Sequence, residues 1–129
     1  SKGGTENLQS ALQTLTRIHS AKVNALGRDH EETLLSAGQL FEALGRHGMN
    51  SEAEALIRET LVSRRRVCGE ESPFTLADRA GLVQVLGFQG KVAEARAEFE
   101  AAYPIVTRVL SPSHYLAEHL RTSQRRFNL

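Results

Sequence analysis

One stretch of this chain returns. Leu26 to Leu34, reading Leu-Gly-Arg-Asp-His-Glu-Glu-Thr-Leu, reappears in weakened form at Cys68 to Leu76 and again at Leu110 to His114. The offset is 42 residues both times, which puts Gly27, Gly69 and Ser111 in register. A constant offset of this size marks a repeat array, in which each unit buries its apolar face only against its neighbours. Residues 27–68 and 69–110 share twelve identities in 42 positions, where unrelated segments of ordinary composition would share roughly three. The shared residues are structural in kind: turn glycines (Gly27, Gly45, Gly48), leucines at helical spacing (Leu34, Leu40, Leu44) and small alanines (Ala53, Ala55), each with its partner 42 later.

The periodicity predicts six helices and no strand. The first runs from Thr5, as N-cap, to about Leu26, with Leu8, Leu12, Leu15, Ile18 and Val23 inward and Gly27 as its stop. Asp29 or His30 opens the second, whose face is Leu34, Ala37, Leu40, Phe41 and Leu44 and which ends near Gly45 to Gly48. Asn50 or Ser51 caps the third, with Ala53, Leu56, Ile57, Leu61 and Val67 inward and Arg64, Arg65 and Arg66 in its last turns, where cations suit the helix dipole. Ser72 before Pro73 is a strong start signal for the fourth, which carries Leu76, Leu82, Val83, Val85 and Leu86 and stops at Gly87 to Gly90. The fifth covers Lys91 to Leu110 through Val92, Ala95, Phe99, Ala102, Tyr103, Val106 and Val109, with a kink expected near Glu100 to Tyr103 because Pro104 lacks an amide hydrogen. The sixth starts at Ser113 or His114, carries Leu116 and Leu120, and frays near Arg126. Ser1 to Gly4 reads as a leader or tag remnant and residues 5–129 as one helical repeat domain, with boundaries near 27, 69 and 111.

Composition narrows the function. Lys plus Arg (16) against Asp plus Glu (15) leaves no global field to draw the chain to nucleic acid or an anionic membrane. A single cysteine, Cys68, excludes an intrachain disulfide and fits a reducing, cytoplasmic setting. It aligns with Leu26 and Leu110 and reads as a small core residue. His30-Glu31-Glu32 and His114 with Glu118 offer metal-type side chains without the third ligand a zinc site needs, and His30 reads better as a cap. No nucleophile elbow, phosphate loop or paired-carboxylate arrangement stands out, so neither an enzyme nor a cofactor is expected. The Arg64 to Arg66 run, and Arg121, Arg125 and Arg126, read as solvated helix ends.

These residues resemble the tetratricopeptide repeat family, in the 42-residue form seen in kinesin light chains. That form reads roughly L-G-x-x-H-P-x-T-L, an A helix ending in Q-G, and an E-A pair opening the B helix. The match runs through Leu26, Gly27, His30, Thr33, Leu34, Leu40, Gly48, Glu52 and Ala53, then Gly69, Pro73, Thr75, Leu76, Leu82, Gln89, Gly90, Glu94 and Ala95. The chain departs from the family at Phe41 and Val83, where a small residue is usual, and at Gly38-Gln39 and Ala80-Gly81, where many peptide-binding arrays carry asparagines.

The resemblance implies an all-α, right-handed superhelical solenoid of about six antiparallel helices, with A helices lining a concave face. Carrying the register across places Leu35, Gln39, Glu42 and Arg46, then Ala77, Ala80, Gln84 and Phe88, then His119, Thr122 and Arg126 on that face. Of these, Gln39, Glu42, Arg46, Gln84, Phe88, His119, Thr122 and Arg126 are the expected partner-binding residues, with the polar groups bonding to a ligand's backbone or carboxylates and Phe88 as an apolar anchor. The implied function is a non-catalytic interaction module for a protein or peptide partner. Two alternatives stand beside it. One is a self-assembling scaffold joined through open helical ends, since Leu116 and Leu120 have no following B helix and the first helix has no A helix before it. The other is the sensor or regulatory array of a larger protein.

Overall fold

The computed structural model describes residues 2–129, with side chains from residue 9 onward. Six helices follow one another, α1 (Lys2–Leu26), α2 (Glu31–Arg46), α3 (Asn50–Cys68), α4 (Pro73–Phe88), α5 (Val92–Val109) and α6 (Tyr115–Phe127), with no strand among the described residues. Helix α1 begins at Lys2 rather than after Thr5. The cap expected of Thr5 and the inward packing expected of Leu8 lie outside the described side chains, as does Ser1 of the expected leader.

The repeat is legible in the turns. His30, Ser72 and His114 stand 42 apart and cap α2, α4 and α6 in the same extended conformation, with ψ of 141°, 141° and 146°. Each accepts a bond from the amide two residues on, to His30 Nδ1 at 3.1 Å, Ser72 Oγ at 3.3 Å and His114 Nδ1 at 3.1 Å. Before them Gly27 and Gly69 turn with φ of 85° and 93°, a region that favours glycine. Ser111 holds the same place at φ 147°, where its Oγ accepts the Ser113 amide at 2.9 Å. Each hairpin is then clipped by an ion pair in register, Arg66 to Asp29 at 2.7 Å and Arg108 to Glu71 at 2.7 Å.

Two apolar clusters make the core. Leu40, Leu44, Ile57, Leu61, Leu82 and Leu86 join α2, α3 and α4, with Leu12 and Leu15 of α1 packed against them. Leu76, Val83, Phe99, Val106, Leu116 and Leu120 join α4, α5 and α6. Helix α4 serves both clusters, which explains why its apolar residues run in adjacent pairs rather than along one stripe. Helix α5 runs unbroken through Pro104, which sits on the exposed side near the exposed Glu100, so the carbonyl deprived of its amide partner lies toward water.

Several expectations are corrected. Leu116 and Leu120 are 3% and 0% exposed, because α6 docks on both α4 and α5. The positions that match the apolar Leu34/Leu76, Leu40/Leu82 and Leu44/Leu86 are Glu118 and Gln124 of α6 and Asn128 at its C-cap, so the leucine layer is not repeated there and the open-end argument that rested on uncovered Leu116 and Leu120 fails. Cys68, Val67, Val109 and Ile18 are exposed rather than inward. Val67 and Cys68, in the last turn of α3, face an open cavity beside Leu35 and Phe74, and α1 makes its main contact with α2, with Ile18 left outside it. No described helix is long and apolar enough to cross a membrane.

Candidate functional site

Helices α2 and α4 lie side by side over α3, held apart by one aromatic ring. Phe41 of α2 rests on Gly81 of α4, so closely that a Cβ at Gly81 would stand 3.1 Å from Cε1 of the ring. Toward the C-terminal ends of the two helices the gap widens into a cleft of about 400 Å³. Phe41, Ala53, Val85 and Phe88 give it an apolar floor and walls, and half-buried Asn50 and Gln84 add amide groups. Gly45 contributes no side chain, and a Cβ there would meet nothing within 4 Å.

Charge sits at the rim. Arg46 and Glu42 approach one another only to 3.9 Å, with side chains 72% and 71% exposed, so the pair adds little stability and both groups remain available to a ligand. Arg126 reaches across from α6 and lays its guanidinium 4.6 Å from the centroid of Phe88, while Phe127 meets the same ring edge-on at 5.1 Å. The structure therefore brings together Glu42, Arg46, Gln84 and Phe88 around the cleft, and Arg126 joins them only through its contact with the Phe88 ring. Gln39 is exposed farther along α2, beside a cavity of about 230 Å³ that also touches Glu42.

Two expected site residues stand apart. Thr122 is exposed on α6 and accepts a bond from Arg125 at 3.3 Å, within its own helix. His119 is half-buried, and burial lowers its pKa. Ala80, placed on the same face by register, is buried. The cleft-lining residues that sequence reasoning did not place at a site are Gly45 and Asn50, together with Phe41, Ala53 and Val85, which it assigned to the apolar helix faces. The signal for Phe41 was its departure from the small residue usual in the family.

The arginine run is built in rather than merely solvated. Arg64 binds Asp78 at 3.1 Å with both side chains largely buried, Arg65 binds Glu70 at 2.8 Å, and Arg66 closes the hairpin on Asp29. Desolvation pushes the Asp78 pKa up against the opposing pull of Arg64. At the other end Arg121 bonds Tyr103 Oη, the Pro112 carbonyl and Glu118. Neither group forms an unpaired basic patch.

One cluster has the composition of a hydrolase. His19 and Glu59 line a small cavity, and His19 Nδ1 lies 2.8 Å from Oγ of Ser36. Ser36 is 2% exposed and donates its own hydrogen to the Thr33 carbonyl at 2.8 Å. The His19 nitrogen must therefore be the donor, and the cavity, about 10 Å³, holds one water at most. The contact ties α1 to α2. Among the described residues no group of three His, Cys, Asp or Glu side chains is placed to hold a metal ion.

No curated protein matches the chain. Residues 42–74, from the end of α2 through α3 to the start of α4, match the tetratricopeptide repeat. That match, on a segment whose flanking hairpins repeat every 42 residues, supports assigning the chain to the tetratricopeptide repeat family.

Proposed function

We propose that the chain is a non-catalytic cytoplasmic interaction module that takes a protein or peptide partner on the face formed by α2, α4 and α6. Tetratricopeptide repeats in general mediate binding to protein partners and are in general non-catalytic. The observation that carries the reading is the apolar cleft of about 400 Å³ between α2 and α4, rimmed by Arg46 and Glu42. A cavity of this size with apolar walls and a few convergent polar groups is the usual form of a recognition site.

The test is selection of peptides from a random display library against the whole chain, followed by mapping of amide chemical-shift changes. Shifts concentrated on α2, α4 and α6, and binding weakened by Arg46→Glu with Arg126→Glu, are expected. Shifts confined to α1, α3 and α5 would show the face to be wrong.

A self-association reading retains one specific support, the exposure of Ile18 and Leu26 on α1, each 40% exposed. Light scattering from micromolar to millimolar protein tests it, and a strict monomer throughout overturns it.

A further inference from the structure

The three helix starts that stand 42 residues apart share a geometry but not a chemistry. His30, Ser72 and His114 each accept the amide two residues on, at 3.1, 3.3 and 3.1 Å. The acceptor at α4 is a hydroxyl, which keeps its lone pairs throughout the physiological pH range. At α2 and α6 it is an imidazole Nδ1, which accepts only while it carries no proton. Histidine is the side chain whose charge ordinarily changes between pH 5 and 8. A proton on Nδ1 sets one N–H against another and places a positive charge at the positive end of the helix dipole. His30 is exposed and His114 half-buried, so water reaches both rings.

The charged groups around each ring come from both sides of the turn. Asp29, Glu31 and Glu32 flank His30, but α3 sends Arg66 onto Asp29 at 2.7 Å, and Arg28 of the same turn is held by Glu59 of α3 at 3.0 Å. From α1, Lys22 meets the first turn of α2, its carbonyl accepting from Thr33 Oγ1 at 3.3 Å. At His114 the ring of Tyr115 lies at 4.5 Å, and Glu118, one turn on, is held by Arg121 at 2.7 Å and Arg125 at 3.1 Å. Arg121 also bonds the Pro112 carbonyl and Tyr103 of α5, while Arg108 of α5 is held by Glu71. Asp29 and Glu118 are thus already engaged by arginines, and Glu31 and Glu32 are exposed, where water screens them. The carboxylates offset the lost caps only in part.

We infer that His30 and His114 make the starts of α2 and α6 a paired, acid-sensitive release, while Ser72 keeps the start of α4 fixed. At neutral pH all three starts are capped. As the pH falls toward 5, protonation of Nδ1 breaks the bonds to the Glu32 and Leu116 amides, and the first turns of α2 and α6 loosen beside an unchanged α4. The caps hold only the neutral rings, so their contribution is present at neutral pH and fades on acidification. Helix α2 meets α4 through Phe41 on Gly81, and α6 docks on α4 directly. Acid therefore loosens two neighbours of the central helix together.

The test compares thermal melts of the whole chain with those of the double variant His30→Ser, His114→Ser, in which every start carries the cap already present at α4. At pH 7.5 the two melting temperatures are expected to agree within about 2 °C, and at pH 5.5 the variant is expected to melt about 5 °C higher, the scale of two lost caps. His19 and His119, whose pKa values burial lowers, also cost stability on acidification, but both proteins carry them and the difference cancels. The reverse exchange, Ser72→His, is expected to leave the melt unchanged at pH 7.5 and to lower it by about 3 °C at pH 5.5. In wild type, the amide protons of Glu32 and Leu116 are expected to shift together with the ring resonances of His30 and His114, while the Phe74 amide stays in place. A difference between wild type and double variant that is the same at both pH values overturns the inference. So does wild type gaining on the variant at pH 5.5, which would mean that Asp29, Glu31, Glu32 and Glu118 outweigh the caps. Rings that titrate while the Glu32 and Leu116 amides stay unmoved overturn it as well.

Discussion

The junction between α2 and α4 and the junction between α4 and α6 are built on the same register yet end differently. Gly45 and Gly87 occupy equivalent positions 42 residues apart. Beside Gly45 lies open space, whereas a Cβ at Gly87 would clash with the ring of Phe127. The residue equivalent to Phe127 at the first junction is Val85, which lines the cleft but is too short to cover Gly45. One aromatic side chain thus closes the second junction, with Phe88 and Arg126 stacked around it, and its absence leaves the first open. The groove arises where a repeated position, otherwise filled by the next repeat, is left unfilled.

The largest expected effect comes from removing that closure. Phe127 is half-buried, and truncating a fully buried Phe costs about 3 to 5 kcal/mol, so Phe127→Ala is expected to cost about 2 kcal/mol and to open a second cleft over Gly87. Denaturant melts measure the first effect. Binding of a small apolar dye gained by the variant measures the second, and an unchanged melting curve would show that Phe127 does not close the junction.

The glycines give a sharper contrast, because the same substitution should have opposite signs. Gly87→Ala drives a methyl into the Phe127 ring and is expected to cost about 1 to 2 kcal/mol through overpacking. Gly45→Ala meets no neighbour and replaces a poor helix former, so it is expected to stabilise by up to about 1 kcal/mol. Effects of equal sign would mean that the two junctions do not differ as described.

How far the sequence carried this picture follows from the range of each interaction. Caps, turn glycines and the leucines of α2 and α4 were legible because they depend on neighbours within one turn or one repeat. His30 was read correctly as a cap because Ser72 replaces it 42 residues later, and a serine can accept an amide bond but cannot replace a metal-binding imidazole. The exposure of Cys68 and Val67 was not legible, since it depends on the open cavity beside Leu35 and Phe74. Nor was the burial of Leu116 and Leu120, which α6 achieves through contacts with α4 and α5 rather than through any following helix. Phe74 and Phe127 were overlooked because their rings are not shared by the equivalent positions Glu32 and Val85. Phe74 borders a cavity beside Leu35 and Val67, and Phe127 closes the junction over Gly87.

The smallest expected effect concerns what holds the open junction together without an aromatic plug. Glu54 of α3 accepts bonds from Arg58 at 2.8 Å, from Gln89 at 2.8 Å and from Lys91 at 2.9 Å, fastening α3 to the turn that ends α4. Its side chain is 12% exposed, and the bonds from Lys91, Arg58 and Gln89 hold its pKa down to about 2 against an ordinary 4.5. The folded carboxylate therefore stays ionised where the unfolded one takes up a proton, so its contribution is complete above pH 4.5 and fades as the pH falls toward 2. Asp29, Glu71 and Glu118 are shifted in the same direction by their arginines, so acid sensitivity of the whole chain does not isolate Glu54. The difference between wild type and Glu54→Gln does. The melting temperatures should be separated at pH 6 and converge as the pH falls from 4.5 toward 2, while the separation between wild type and Phe127→Ala should change far less, since the plug it removes carries no carboxylate. A constant separation for Glu54→Gln across that range would mean that packing, rather than an ionised rivet, holds α3 to the turn after α4.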